Sequence, residues 1–149
     1  MRFLIQRVKM AEVEVANKVV GKIDKGFLVL IGITHNDTKQ SADYLIKKLI
    51  NLRIFEDENG VMNKSFLEVG GSILSISQFT LYADTRKGRR PSYLKALNGE
   101  KSVLLYDLFN KKLKDMNIDV QTGKFGADMK VSLVNDGPTT IMLDSEDYK

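Results

Sequence analysis

The residues with the most chemistry to offer lie in ILSISQFTLYADTRKGRRP, Ile73 to Pro91. Ser77, Gln78 and Thr80 put two hydroxyls and an amide into an apolar strand that also holds Phe79 and Leu81. The segment then breaks into the cations Arg86, Lys87, Arg89 and Arg90. Polar groups on a buried strand need partners. Hydroxyls and an amide at a strand end, beside a cationic loop, suit an anionic ligand bound over that end.

A second informative place is Asn135-Asp136-Gly137-Pro138, ahead of the apolar run TTIML. Glycine before proline is free to take a positive φ or either peptide isomer, and a proline between two strands cannot donate to their ladder. An ordinary loop is the alternative, since cis bonds make up only about 5–6% of X-Pro bonds.

The residue types that are scarce narrow the chemistry. The absence of cysteine excludes disulfides, thiolate nucleophiles and thiolate metal sites. The single histidine, His35 in the loop THNDT, excludes His-rich metal sites and is expected to be solvated and not catalytic. Neither a metal nor an organic cofactor is expected.

With 149 residues, 43% hydrophobic and 28% charged, the chain has the size and composition of one globular domain. No window approaches the roughly 18 apolar residues of a membrane span. The start, MRFLIQRV, lacks the apolar region of a signal peptide, so the expected location is cytoplasmic, away from membranes. A net charge of +4 is mild. RNA is suggested by where the cations lie, not by their number.

Residues 2 to 33 alternate and turn as strands, with a turn at Asn17-Lys18 and a continuous apolar run, FLVLIGI, that suits a strand covered on both faces. Arg7 sits between Gln6 and Val8 on the first of them, either buried and paired or reaching solvent from an edge. Asp37 or Thr38 caps a helix to about Arg53, with Ala42, Leu45, Ile46, Leu49 and Ile50 on one face. Ile54-Phe55 extends as a short strand, Asn59-Gly60 predicts a hairpin turn, and Gly70-Gly71 precedes the central strand. A second helix spans about Glu100 to Met116, its Lys111, Lys112 and Lys114 forming a solvated face in preference to an RNA contact. IDVQT and MKVSLVN are further strands, GKFGAD is a loop, and the polar tail DSEDYK is expected to fray.

With SQFTLYADTRKGRRP and NDGPTT both in view, the chain resembles the D-aminoacyl-tRNA deacylases, homodimeric enzymes once called D-tyrosyl-tRNA deacylases. The resemblance runs from MRFLIQRV through NLRIFEDENGVMN and GGSILSISQFTLYADTRKGRRPS to TGKFGADMKVSLVNDGPTTIMLD. Thr139 stands where the family usually has valine, a near-isosteric exchange.

The resemblance implies hydrolysis of the ester between a D-amino acid, or misattached glycine, and the terminal adenosine of tRNA. It implies that Ser77, Gln78, Phe79 and Thr80 line the catalytic pocket. It further implies that Gly137-Pro138 carries a cis bond and enters the partner's pocket, with Arg7 holding that turn, so that the active site lies at the subunit interface. An L side chain would strike the proline backbone, whereas a D side chain could point to solvent. Phe125 and Met129 fall where the family binds the terminal adenine, with plain core residues as the alternative. Arg86, Lys87, Arg89 and Arg90 are candidates for phosphate contacts. Thr80 is either a nucleophile or a positioning residue, since a threonine without a neighbouring base is weak.

The expected fold is mixed α/β, of the α+β kind, with two largely antiparallel sheets and two main helices in one domain, residues 1–149, that forms a homodimer. The competing readings are a non-catalytic RNA-binding module, a related deacylase for L-amino acids, and a purely structural dimer.

Overall fold

The computed structural model describes residues 1–148. Strand β1, Arg2–Val15, is the spine of the molecule. Ala16 and Asn17, both at positive φ, make the tight turn into β2, Lys18–Ile23, one residue earlier than the sequence predicted. The apolar run forms β3, Gly26–Gly32. β2 pairs with β1 over Ala11–Val15 and β3 pairs with it over Arg2–Val8, so together they are the two collinear halves of one returning strand.

Helix α1, Lys39–Asn51, is capped by Thr38, whose N–H donates to Ser41 Oγ, and ends two residues before the predicted Arg53. Asp37 does a different job from the cap considered for it. Its carboxylate accepts from the Thr34 N–H at 2.7 Å and meets the buried ammonium of Met1. Asn59-Gly60 turns the hairpin of β4, Phe55–Glu56, and β5, Met62–Lys64, with Gly60 at φ 73°. Those two strands are the whole of the second sheet.

A third helix, α2, Phe66–Val69, was missed although its signal is local. Ser65 Oγ accepts from the Glu68 N–H while the Glu68 carboxylate accepts from the Ser65 N–H, a capping box written as S-x-x-E. Ser65→Ala is expected to cost about 1 kcal/mol, read as a lower urea midpoint at unchanged m-value.

Beyond α2, strand β6, Ser72–Ser77, runs parallel to β3. The prediction that the strand carries SQFTL through is corrected: it stops at Ser77 and the chain coils into a 3-10 turn, Phe79–Tyr82. The parallel neighbour β3 ends too, and Gln78 N donates to Ile31 O at 2.7 Å as the last ladder contact. Helix α3 spans Glu100–Asp115, and β7, Val120–Thr122, lies parallel to β6.

MKVSLVN and TTIML are not two strands joined by a turn. They are halves of a single strand, β8, Lys130–Asp144, because both pair antiparallel with the same edge of β1. Gln6 pairs with Thr140 and Val8 with Asn135, so Arg7 alone faces residues 136–139, which bulge out of the ladder. The tail also departs from expectation. Residues Ser145–Tyr148 form a 3-10 turn, Ser145 Oγ accepts from the Met1 ammonium at 2.7 Å, and the Tyr148 ring lies 4.6 Å from that of Tyr44. Lys149, the last residue of the predicted frayed tail, lies outside the described residues.

The main sheet therefore has six strands, mostly antiparallel, with β3, β6 and β7 parallel. One face, with Phe3, Ile5, Phe27, Val29 and Ile73, packs on Leu45, Leu49, Phe109 and Leu113 of the helices. Phe3 and Phe109 meet edge to face at 5.0 Å. The opposite face curls inward. A Cβ at Gly21 of β2 would lie 2.7 Å from Thr122 O of β7, so only glycine allows the two strands this approach. Val8, Val13, Ile23, Leu28, Leu74 and Ile76 fill the curl. Its rim, with the partly buried Leu30, Met129 and Val131, leads to the cleft described next.

Candidate active site

Where β6 stops, the 3-10 turn opens a cleft of about 420 Å³. Ser77, Gln78 and Phe79 line one side, and the loop 125–129 lines the other, bringing Phe125 and Met129 opposite them. Ile31, Ile33 and Ile76 supply an apolar lining, and Asn98 and Asp128 add polar edges. A Cβ at Gly123 would lie 2.4 Å from Met129 Sδ, so the Met129 side chain packs closely over this glycine. Sequence reasoning did not single out Asn98 or Asp128. Neither belongs to a local pattern that would have marked it.

Thr80 is exposed and stands outside this lining, one residue beyond it. Gln78 Nε2 donates to its Oγ1, and no imidazole or carboxylate is bonded to it among the described residues. The turn itself has chemical use. The first N–H groups of a helical turn lack a carbonyl of their own turn to bond, which leaves the Phe79 and Thr80 amides without a partner inside the turn. The Phe79 ring, 47% exposed, is braced edge-on by Tyr93 at 5.0 Å.

Gly137 and Pro138 are absent from that lining: one chain does not bring them to its own cleft. Both are exposed at the top of the bulge, their peptide bond is cis, and Gly137 has φ 119°. The bulge is held from below. Arg7, 3% exposed, donates from Nε to Asp136 O at 3.3 Å and from Nη1 to Ile54 O, with Asp136 Oδ2 3.4 Å away. Of the two alternatives for Arg7, the buried and paired one holds. Asn135 ties the neck, its Nδ2 donating to the carbonyls of Arg7 and Thr139, each at 3.0 Å, while its Oδ1 accepts from Gln6 Nε2 at 3.2 Å.

The basic loop is clipped at its base by paired backbone bonds between Asp84 and Ser92, at 2.8 and 2.9 Å. Arg86 is not a free cation, because its guanidinium grips Asp84 with bonds of 2.9 Å from Nε and 2.5 Å from Nη2. Those bonds hold the Asp84 carboxyl well below the usual carboxylate range. Lys87, Arg89 and Arg90 are exposed and form no ion pair among the described residues. His35, also exposed, has Nε2 2.8 Å from Leu94 O. Among the described residues no group of three or more His, Cys, Asp or Glu side chains is placed to hold a metal, and no helix is long and apolar enough to cross a membrane.

The family model described as D-Tyr-tRNA(Tyr) deacylase matches residues 4–144. The chain belongs to that family. Among curated relatives, a D-aminoacyl-tRNA deacylase of Clostridium kluyveri is 58% identical over 146 residues, covering 98% of each chain. The namesake of Bacillus pumilus is 54% identical over 147 residues, covering 99% of this chain and 100% of the relative. A solved structure described as c-Myc DNA Unwinding Element Binding Protein superposes with a TM-score of 0.90 at 37% identity, over 97% of this chain and 98% of its own. A second, described as a probable eukaryotic D-amino acid tRNA deacylase, reaches 0.79 at 20% identity over 95% and 97% and shares the fold. Along this deacylase family chain the matched span takes in both the 77–80 segment and the Gly137-Pro138 bulge.

Proposed function

We propose that this chain is a D-aminoacyl-tRNA deacylase acting as a homodimer in the cytoplasm. The observation that carries the reading is the single cleft that sets Ser77, Gln78 and Phe79 opposite Phe125 and Met129. That arrangement suits an aminoacyl-adenosine, its adenine against Phe125 and Met129 and its ester at the head of the 3-10 turn.

The ester is already activated, so the site's work is to orient it, admit one water and hold the charge that develops. Water adds to the carbonyl carbon, and the Phe79 and Thr80 amides donate to the oxyanion. The bond to the ribose oxygen then breaks, and that oxygen leaves with a proton, giving the free amino acid and tRNA. The neighbouring ribose hydroxyl is the proton carrier in this scheme. Thr80 has a positioning role, because its hydroxyl is bonded by an amide and not by a base.

Chirality is read by the partner subunit's copy of Gly137-Pro138, which reaches into the cleft and leaves no room for an L side chain. Arg7 and Asn135 hold the bulge at a fixed height. Glycine, with no side chain to exclude, is hydrolysed as well. Lys87, Arg89 and Arg90 hold phosphates of the RNA, with Arg86 acting through its grip on Asp84 to shape the loop.

The test is release of labelled amino acid from D-Tyr-tRNA, L-Tyr-tRNA and glycyl-tRNA. The expected result is hydrolysis of the D and glycyl esters with the L ester spared. Bound tRNA with no ester cleaved would replace the enzyme by an RNA-binding module, and cleavage of the L ester in preference would make it a deacylase of the opposite hand.

A further inference from the structure

Phe125 has a concavity on each side of it. Beyond the cleft, its ring also borders a groove of about 550 Å³ between α3 and the loop after β7. The ring leans on Tyr106 at 5.6 Å, which keeps it standing between the two spaces.

The groove's cations are not all equal. Lys111 is held by Asp115 at 2.7 Å, and Lys112, on the neighbouring face, is held by Asp43. Lys114 and Lys124 line the groove, are exposed, and form no ion pair among the described residues. Asp107 is the carboxylate of the same wall. Asn110, 6% exposed, also contributes to the lining.

We propose that this groove holds the nucleotide that precedes the terminal adenosine of the RNA, its phosphate between Lys114 and Lys124. The assignment rests on the deacylase reading, in which the adenine occupies the other side of Phe125. A strand passing over that ring must put its next phosphate into one of the spaces beside it, and this one carries two unpaired ammonium groups. Helix α3 thus contributes a substrate contact through Lys114, while Lys111 and Lys112 remain in intramolecular pairs.

The experiment compares two minimal substrates, the D-tyrosyl ester of adenosine and the D-tyrosyl ester of the dinucleotide cytidylyl-adenosine. The wild type is expected to favour the dinucleotide ester about tenfold in kcat/KM, chiefly through KM, the size of one or two charge-assisted contacts. Lys114→Ala/Lys124→Ala is expected to erase that advantage and leave the adenosine ester unaffected. A matched loss of charge elsewhere, Lys18→Ala/Lys22→Ala, keeps it. Equal rates on the two esters in the wild type, an advantage surviving in the Lys114/Lys124 variant, or its loss in the control variant would each overturn the groove assignment while leaving the deacylase intact. Failure of the wild type to cleave either ester or D-Tyr-tRNA overturns the deacylase reading, and the groove assignment falls with it.

Discussion

Gly137→Ala is expected to lose about a hundredfold in kcat/KM on D-Tyr-tRNA, the scale of misplacing a group at a reacting centre by about 1 Å. The reason lies in the backbone. Gly137 sits at φ 119°, which an L side chain rarely adopts. A Cβ there would lie 2.8 Å from Thr139 N and 2.9 Å from Arg7 Nη2. The first of these is main chain, and the second is a guanidinium already bonded to Asp136 O and Ile54 O. Neither can yield without lifting or tilting the bulge. If that bulge is the partner's contribution to the cleft, the D-tyrosyl ester of adenosine should suffer as much as the full tRNA, because the damage is at the ester and not along the RNA. Gly60→Ala is the control: a glycine at φ 73° in an exposed turn, with nothing within 4 Å of an added Cβ. Rates and exclusion of L-Tyr-tRNA unchanged in Gly137→Ala would remove the Gly137-Pro138 turn from the active site.

Arg7→Ala is expected to destabilise the fold by about 3 kcal/mol, the sum of one buried and one partly buried carbonyl losing their donor and of the space a guanidinium leaves. Ile54 O and Asp136 O belong to segments far apart in the chain, so one side chain ties the β4 hairpin to the bulge. Arg7→Met restores much of the volume but no donor, and should recover only a minority of the loss. Both variants should also discriminate less well against L-Tyr-tRNA, since the bulge then rests on the bonds of Asn135 and Thr140 without the guanidinium beneath it. Urea unfolding of the three proteins reads the first effect and paired D and L hydrolysis reads the second. A change below about 0.5 kcal/mol, the ordinary range for a surface substitution, would mean that the buried bonds contribute little.

Much of this architecture was legible because its causes are local. The apolar run at 27–33 needs both faces covered, and β3 has neighbours on both edges and packing above and below. The stripe Ala42, Leu45, Ile46, Leu49, Ile50 recurs at helical spacing, and those residues are the buried ones of α1. Asn59-Gly60 turned where its backbone freedom predicted. The capping box at Ser65 was equally local and was passed over because the helix it starts is only four residues long.

The rest depended on partners distant in sequence. Phe79 and Thr80 have the composition of a strand, yet they coil because β3 and β6 run out together and leave no ladder to join. Residues 130–144 contain a proline that argues for a break, yet they form one strand because both halves meet the same edge of β1.

By itself the sequence determined the family, most of the elements, the buried face of α1, and the residue types available for chemistry, since each follows from a pattern within a short window or from a long ordered match. Only the tertiary structure decided that Phe125 stands opposite Phe79, that Lys112 is paired with Asp43 while Lys114 and Lys124 remain unpaired, and that Arg7 underlies a bulge 129 residues away. These are matters of register and reach between segments, set by burying the β1–β8 ladder and curling the sheet as a whole. No local pattern records where two such segments will meet.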